Sequence, residues 1–236
     1  MESADRRGAA VLELVAVMDR LRRECPWDAK QTHESLAPHL LEESYETLDA
    51  LDRGDLLHLR EELGDLLLQV VFHARVAAER TDETSFDIDD VAAGIAAKLV
   101  RRHPHVFADV TVNDADEVRR NWNAIKAAER AAAGRGPGSV LDGVPMSQPA
   151  LSLAAQLQRR AEAAGAPGEL ADLPVAREAG NRDDAVSELG AELFALATRA
   201  HAAGVNPEIE LRHAARVFSD RVRAWEASGT SPRDQP

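Results

Sequence analysis

The chain has 236 residues, 44% of them hydrophobic, which is enough to bury a core in one large domain or two small ones. Aromatics make up only 4% while Ala and Leu are abundant, so helices are favoured over sheets. A formal net charge of −13, from 41 acidic against 28 basic residues, excludes a general nucleic-acid or anionic-membrane binder, while a metal and a few placed bases still admit a phosphate substrate. The single cysteine, Cys25, excludes an internal disulfide framework and suits a reducing compartment. No apolar run reaches transmembrane length, and Met1 to Asp5 lacks the pattern of a signal peptide; a cytoplasmic location without membrane contact is expected.

Val11, Leu14, Val15, Met18 and Leu21 recur at helical spacing and predict a helix over about 9–23. Cys25-Pro26-Trp27-Asp28 ends it. A second helix is expected over about 35–52, and Asp55 caps a third over about 56–80. Asp52 to Asp55 is a short turn, so these two helices are expected to be antiparallel neighbours. After a polar loop from Thr81 to Ser85, a fourth helix starts at Asp87 and ends near Arg102-His103-Pro104. His103-Pro104-His105 reads as a turn. A fifth helix runs over about 115–133, with further helical patterns at about 150–164, 183–203 and 207–226.

Gly134-Arg135-Gly136-Pro137-Gly138 cannot continue a helix and marks the clearest boundary. The expected organisation is a catalytic helical domain over 9–133 and a Gly/Pro-rich linker over 134–150. A second helical region over 151–227 and a disordered tail over 228–236 follow. Glu61-Glu62-Leu63-Gly64-Asp65-Leu66-Leu67 aligns with Ser187-Glu188-Leu189-Gly190-Ala191-Glu192-Leu193. The reading is a duplicated unit whose second copy kept its packing and lost its acidic chemistry, since Ala191 stands opposite Asp65. The expected fold class is therefore all-α: a helical bundle with a degenerate second half.

Two acidic clusters carry the chemistry: Glu42-Glu43-x-x-Glu46 on the second helix and Glu62-x-x-Asp65 on the third. Residues three and four apart share a helix face, and the fold-back brings Glu43, Glu46, Glu62 and Asp65 together. Two carboxylates about 4 Å apart repel by roughly 4 kcal/mol at an effective dielectric of ~20, so four of them need a cation. An oxygen-only set calls for a hard ion, Mg²⁺ first, with Mn²⁺ as a substitute. Asp65, beside Leu66, Leu67 and Leu68, is expected in an apolar setting. Taken singly, Trp122 reads as core packing, and Lys98 and Arg102 as charges at a helix C-terminus. Taken with a metal site, the pairs Lys98/Arg102 and Trp122/Lys126 suit a nucleotide, with its phosphates on the bases and its ring on the indole.

Cys25-Pro26-Trp27-Asp28-x-x-Gln31-Thr32, Leu41-Glu42-Glu43-x-x-Glu46, Glu61-Glu62-Leu63-Gly64-Asp65 and Arg101-Arg102-His103-Pro104-His105-Val106-Phe107 occur in that order, followed by Trp122-x-x-x-Lys126. Together they resemble the MazG nucleoside triphosphate pyrophosphohydrolases over about residues 9–130. The resemblance implies an all-α homodimer that hydrolyses nucleoside triphosphates to monophosphate and pyrophosphate with Mg²⁺, in nucleotide-pool housecleaning. It implies that Glu43, Glu46, Glu62 and Asp65 hold the metal. Lys98, Arg102, Trp122 and Lys126 would contact the nucleotide. Glu42 is a candidate general base or outer partner. The rival readings are a narrower pyrophosphatase for dUTP or phosphoribosyl-ATP, and a non-catalytic acidic adaptor.

Overall fold

The computed structural model describes residues 8–132, 138–175 and 186–228. Gly134 to Pro137 of the expected linker, the expected helix start at 183–185 and the tail from 229 onward lie outside the described residues. The chain divides into two compact units, Met1–Ala133 and Gly134–Pro236. Both are helical; among the described residues the only β pairing is an isolated bridge between Val175 and Val186.

The first unit begins with α1, Ala9–Glu24, which stops where Cys25 turns extended. A single turn at Asp28–Lys30 leads into α2, His33–Arg53. Thr32 and Ser35 cap each other's backbone N–H groups, so α2 opens two residues earlier than its apolar pattern suggests. Gly54, at φ 66°, takes the left-handed conformation that closes α2. Asp55 then accepts from the N–H groups of Leu57 and His58 and opens α3, Leu56–Ala77. With one glycine and one cap between them, α2 and α3 fold back as a hairpin and pack extensively on each other.

The core sits where α1, α2 and α3 meet. Met18, Leu36, Val71 and Phe72 are buried together, with Leu14, Val15, Leu68, Val76 and Ile88 against them. An ionic brace closes the same junction: Arg22 of α1 pairs with Glu79 at 2.8 Å, and Arg75 of α3 pairs with Asp19 at 2.9 Å and Glu79 at 3.0 Å. Hydrogen bonding from Arg22 holds the Glu79 carboxyl below its ordinary range. His33 and His73 stack, with their Nδ1 atoms 2.8 Å apart, and tie the first turn of α2 to α3.

Asp87 and Asp90 form a capping box at the start of α4, Ile88–Arg102. His103-Pro104-His105, expected as a turn, is instead the entry to a one-turn helix, α5, Pro104–Phe107. Proline at the first helical position loses no intrahelical bond, which favours that outcome. α6 follows at Ala115–Ala132. α4 packs on both α3 and α6.

The second unit contains α7, Ala150–Ala163, α8, Glu188–Ala202, and α9, Pro207–Ala227, with a single turn at Gly168–Ala171. Ser187 caps α8, and Asn206 caps α9 ahead of Pro207. α7 packs on α8 and α9 through small residues, with Ala155 and Ala197 buried. Gln158 donates to Thr198 Oγ1 at 2.8 Å, and His201 lies 2.6 Å from Glu162.

Candidate metal and nucleotide site

The α2–α3 hairpin positions the acidic side chains. Glu43 and Glu46 lie one turn apart on α2, and Glu62 and Asp65 one turn apart on α3. Each of Glu43, Glu62 and Asp65 offers a carboxylate oxygen within 4.8 Å of the others. Glu46 stands beside this triad, close enough to act electrostatically on both Glu43 and Glu62. Among the described residues no other trio of His, Cys, Asp or Glu comes together in this way.

The three carboxylates differ in setting. Glu62 is 6% exposed, Glu43 is half-buried and Asp65 is exposed. The sequence placed the apolar setting at Asp65, and the structure buries Glu62 instead. The leucines beside Asp65 do not enclose it, since Leu63 and Leu67 themselves face outward on α3. Burial is the main reason that the Glu43 carboxyl is pushed above its ordinary range, followed by the charges of Asp65, Glu46 and Glu62. Glu62 is raised as well, by burial first; His58 opposes the shift, and Glu46 and Asp65 add to it. Glu62 Oε2 is buried and has no hydrogen-bond partner among the described residues. A buried, unpartnered carboxylate oxygen facing like charges is costly. These residues fit a hard divalent cation, which would satisfy that oxygen and neutralise the triad.

Glu42 is placed apart. Its carboxylate is exposed and lies 3.8 Å from His39 Nδ1, on the outer side of α2. His58, which the sequence reading did not single out, has its Nδ1 at 3.2 Å from Glu62 Oε1. Its place four residues before a motif glutamate, on the same helix face, is the signal that could have found it.

The basic and aromatic candidates assemble on α4 and α6. Arg102 lies over the Trp122 ring, 5.3 Å from its centroid, and His103 meets the same ring edge-on at 5.0 Å. Arg102 also pairs with Glu129 at 2.6 Å, and Arg101 pairs with that carboxylate at 2.5 Å. Hydrogen bonds from Arg102 and then Arg101 hold the Glu129 carboxyl down at about 2. Glu129 was also missed, although it stands seven residues, or two helical turns, beyond Trp122 on the same face. Lys98 is exposed on α4, one turn before Arg102, and Lys126 is half-buried on α6, one turn after Trp122.

The second unit has no comparable cluster among its described residues. Glu188 is the first residue of α8, whereas Glu62, its partner in the sequence alignment, lies seven residues into α3. It holds instead an apolar cavity of about 480 Å³ walled by Leu157, Leu170 and Phe194, with Glu162, Thr198 and His201 also in its lining.

An all-α fold whose helical hairpin gathers carboxylates from two acidic motifs defines a class of helical proteins with an acidic cluster of the kind that could hold a divalent cation. Comparison with known sequences narrows that class. The MazG nucleotide pyrophosphohydrolase domain matches residues 31–107, which contain α2, α3 and α4. An uncharacterised 26.1 kDa protein of Streptomyces cacaoi is 47% identical over 95% of this chain and 86% of its own length. The nucleoside triphosphate pyrophosphohydrolase of Escherichia coli (strain K12) is 41% identical over 90% of this chain and 86% of its own. The nucleoside triphosphate pyrophosphohydrolase/pyrophosphatase MazG of Thermotoga maritima is 39% identical over 91% and 84%. The chain belongs to the MazG family.

Proposed function

We propose that this protein hydrolyses nucleoside triphosphates to nucleoside monophosphate and pyrophosphate, with Mg²⁺ as the working ion and Mn²⁺ as a substitute. One observation carries the reading: three carboxylates from two helices converge within 4.8 Å, and one of them keeps a buried oxygen without a partner. Glu43, Glu62 and Asp65 hold the ion, and Glu46 completes the set from the adjoining turn of α2. Bound there, the divalent cation neutralises triphosphate charge and lowers the pKa of a water. Glu42, on the outer side, would act as an outer partner or as the base that takes the proton of the attacking water. Lys98 and Lys126 steady the phosphates electrostatically. Trp122 stacks on the base, with Arg102 bracing it from the far face; Arg102 reaches a phosphate only by exchanging Glu129 for it. The wide family naming of nucleoside triphosphates supports a housecleaning role over a single nucleotide target.

The test is pyrophosphate release from a panel of ribo- and deoxyribonucleoside triphosphates, dUTP and phosphoribosyl-ATP included, with Mg²⁺ and with chelator. Release of pyrophosphate from several triphosphates, abolished by chelation, is expected. Stepwise release of orthophosphate, or turnover that survives chelation, would overturn the proposal. Activity confined to dUTP or phosphoribosyl-ATP would overturn the housecleaning role.

The working form in this proposal is a homodimer in the cytoplasm. Val91, Ile95 and Leu99 form an exposed apolar stripe along α4, and Val106 and Phe107 are exposed on α5. A monomer seldom leaves such a stripe to water. Among the described residues no helix is long and apolar enough to cross a membrane. Light scattering during gel filtration is expected to give twice the 25.6 kDa chain mass; a monomer at micromolar concentration would refute the dimer.

A further inference from the structure

Glu62 is the one buried carboxylate of the triad, and its two oxygens are not equivalent. Oε1 lies 3.2 Å from His58 Nδ1, one helical turn back along α3. Oε2 is buried with no hydrogen-bond partner among the described residues. A carboxylate free to rotate about its terminal bond presents either oxygen to an ion. One engaged on a single side presents the other.

The local fold places His58 for this. Asp55 accepts from the His58 backbone N–H at 3.1 Å, which fixes the first turn of α3, where His58 stands. The His58 side chain is 37% exposed, against 8% for Glu62, so it can be replaced without hollowing the core.

We propose that His58 is a positioning residue that engages Glu62 Oε1 and thereby commits Oε2 to the divalent cation. The proposal rests on the reading of the carboxylate triad as a cation site. Groups that orient metal-binding side chains contribute about 10–100-fold in metal affinity. His58 sits outside both acidic motifs, so neither motif by itself points to it.

The test is binding of Mn²⁺ alone to the full chain, without nucleotide, followed by electron paramagnetic resonance of the free ion and by calorimetry. His58→Ala is expected to weaken Mn²⁺ binding by about tenfold or more. His58→Asn, whose side-chain amide N–H stands where Nδ1 stood, should recover most of that loss. Far-UV circular dichroism and the melting temperature should be unchanged in both. Affinity of the alanine variant within about twofold of the parent overturns the proposal, and so does an asparagine variant no better than alanine. Glu62→Gln separates this from the underlying reading. If it abolishes Mn²⁺ binding while His58→Ala leaves it intact, only the role of His58 falls. If Glu62→Gln itself binds Mn²⁺ normally, the cation site falls, and the role of His58 with it.

Discussion

At the residue scale, the acidic side chains divide by what surrounds them, and that division predicts different consequences for mutation. Asp65 is exposed, so Asp65→Ala removes a proposed ligand without opening a cavity. Pyrophosphate release should fall by about 100-fold or more, with helix content unchanged by circular dichroism. Glu42→Ala removes only an exposed contact with His39 and should cost less than either Asp65→Ala or Glu46→Ala in the same assay. A larger loss at Glu42 would make it the general base rather than an outer partner. Much of this site was legible from spacing alone, because i, i+3 and i, i+4 carboxylates on two helices joined by a tight turn have few ways to avoid each other. Which of them is buried was not legible. Leucines flank both Glu62 and Asp65 in sequence, and only the packing of α2 on α3 decides which faces inward. Glu129 was hidden for a related reason: its partners, Arg101 and Arg102, lie on another helix, and no sequence period announces an ion pair between helices.

At the element scale, the α2–α3 hairpin positions the triad, and the α1–α2–α3 junction holds the hairpin. Leu36 is 1% exposed there and joins α2 to Met18 of α1 and to Val71 and Phe72 of α3. Leu36→Ala should destabilise the protein by about 2–5 kcal/mol in urea denaturation, through lost burial and the cavity left behind. Leu12→Ala, at a position 69% exposed on α1, should be nearly silent. Equal costs at the two positions would mean that the buried cluster does not hold α2 in place. The helices themselves were readable because their caps are written in the chain. Asp55 and Asp87 each begin a helix by accepting backbone N–H groups. Departures occur at ends and in short pieces. α3 stops at Ala77 rather than near 80, and Pro104 opens a helix rather than a turn. Ends fray by a residue or two because terminal hydrogen bonds exchange with solvent at little cost, and periodicity cannot resolve a helix of one turn.

At the scale of the whole molecule, the triad couples stability to pH and, in the proposed function, to metal. Glu43 and Glu62 have carboxyl pKa values raised in the folded protein above the ordinary 4.5. The folded state therefore binds protons that the unfolded state has released, over the interval from 4.5 up to the raised values. The stability contributed by that binding is fully present below 4.5 and is lost as pH rises through the raised values. As those carboxyls ionise above that interval, their mutual repulsion enters the folded state. A divalent cation held as proposed would reverse this, because it would bind the ionised carboxylates and compete with their protons. Excess Mg²⁺ should raise the melting temperature by several degrees at about pH 8, where saturating ligand contributes ~2–3 kcal/mol, and by much less at about pH 5. Glu62→Gln should flatten both effects by removing the buried charge that proton and metal compete for. Scanning fluorimetry across that range, with chelator and with Mg²⁺, reads the difference directly. A Mg²⁺ response equal at both ends would place the ion on groups that do not titrate in this window, and so away from Glu43 and Glu62.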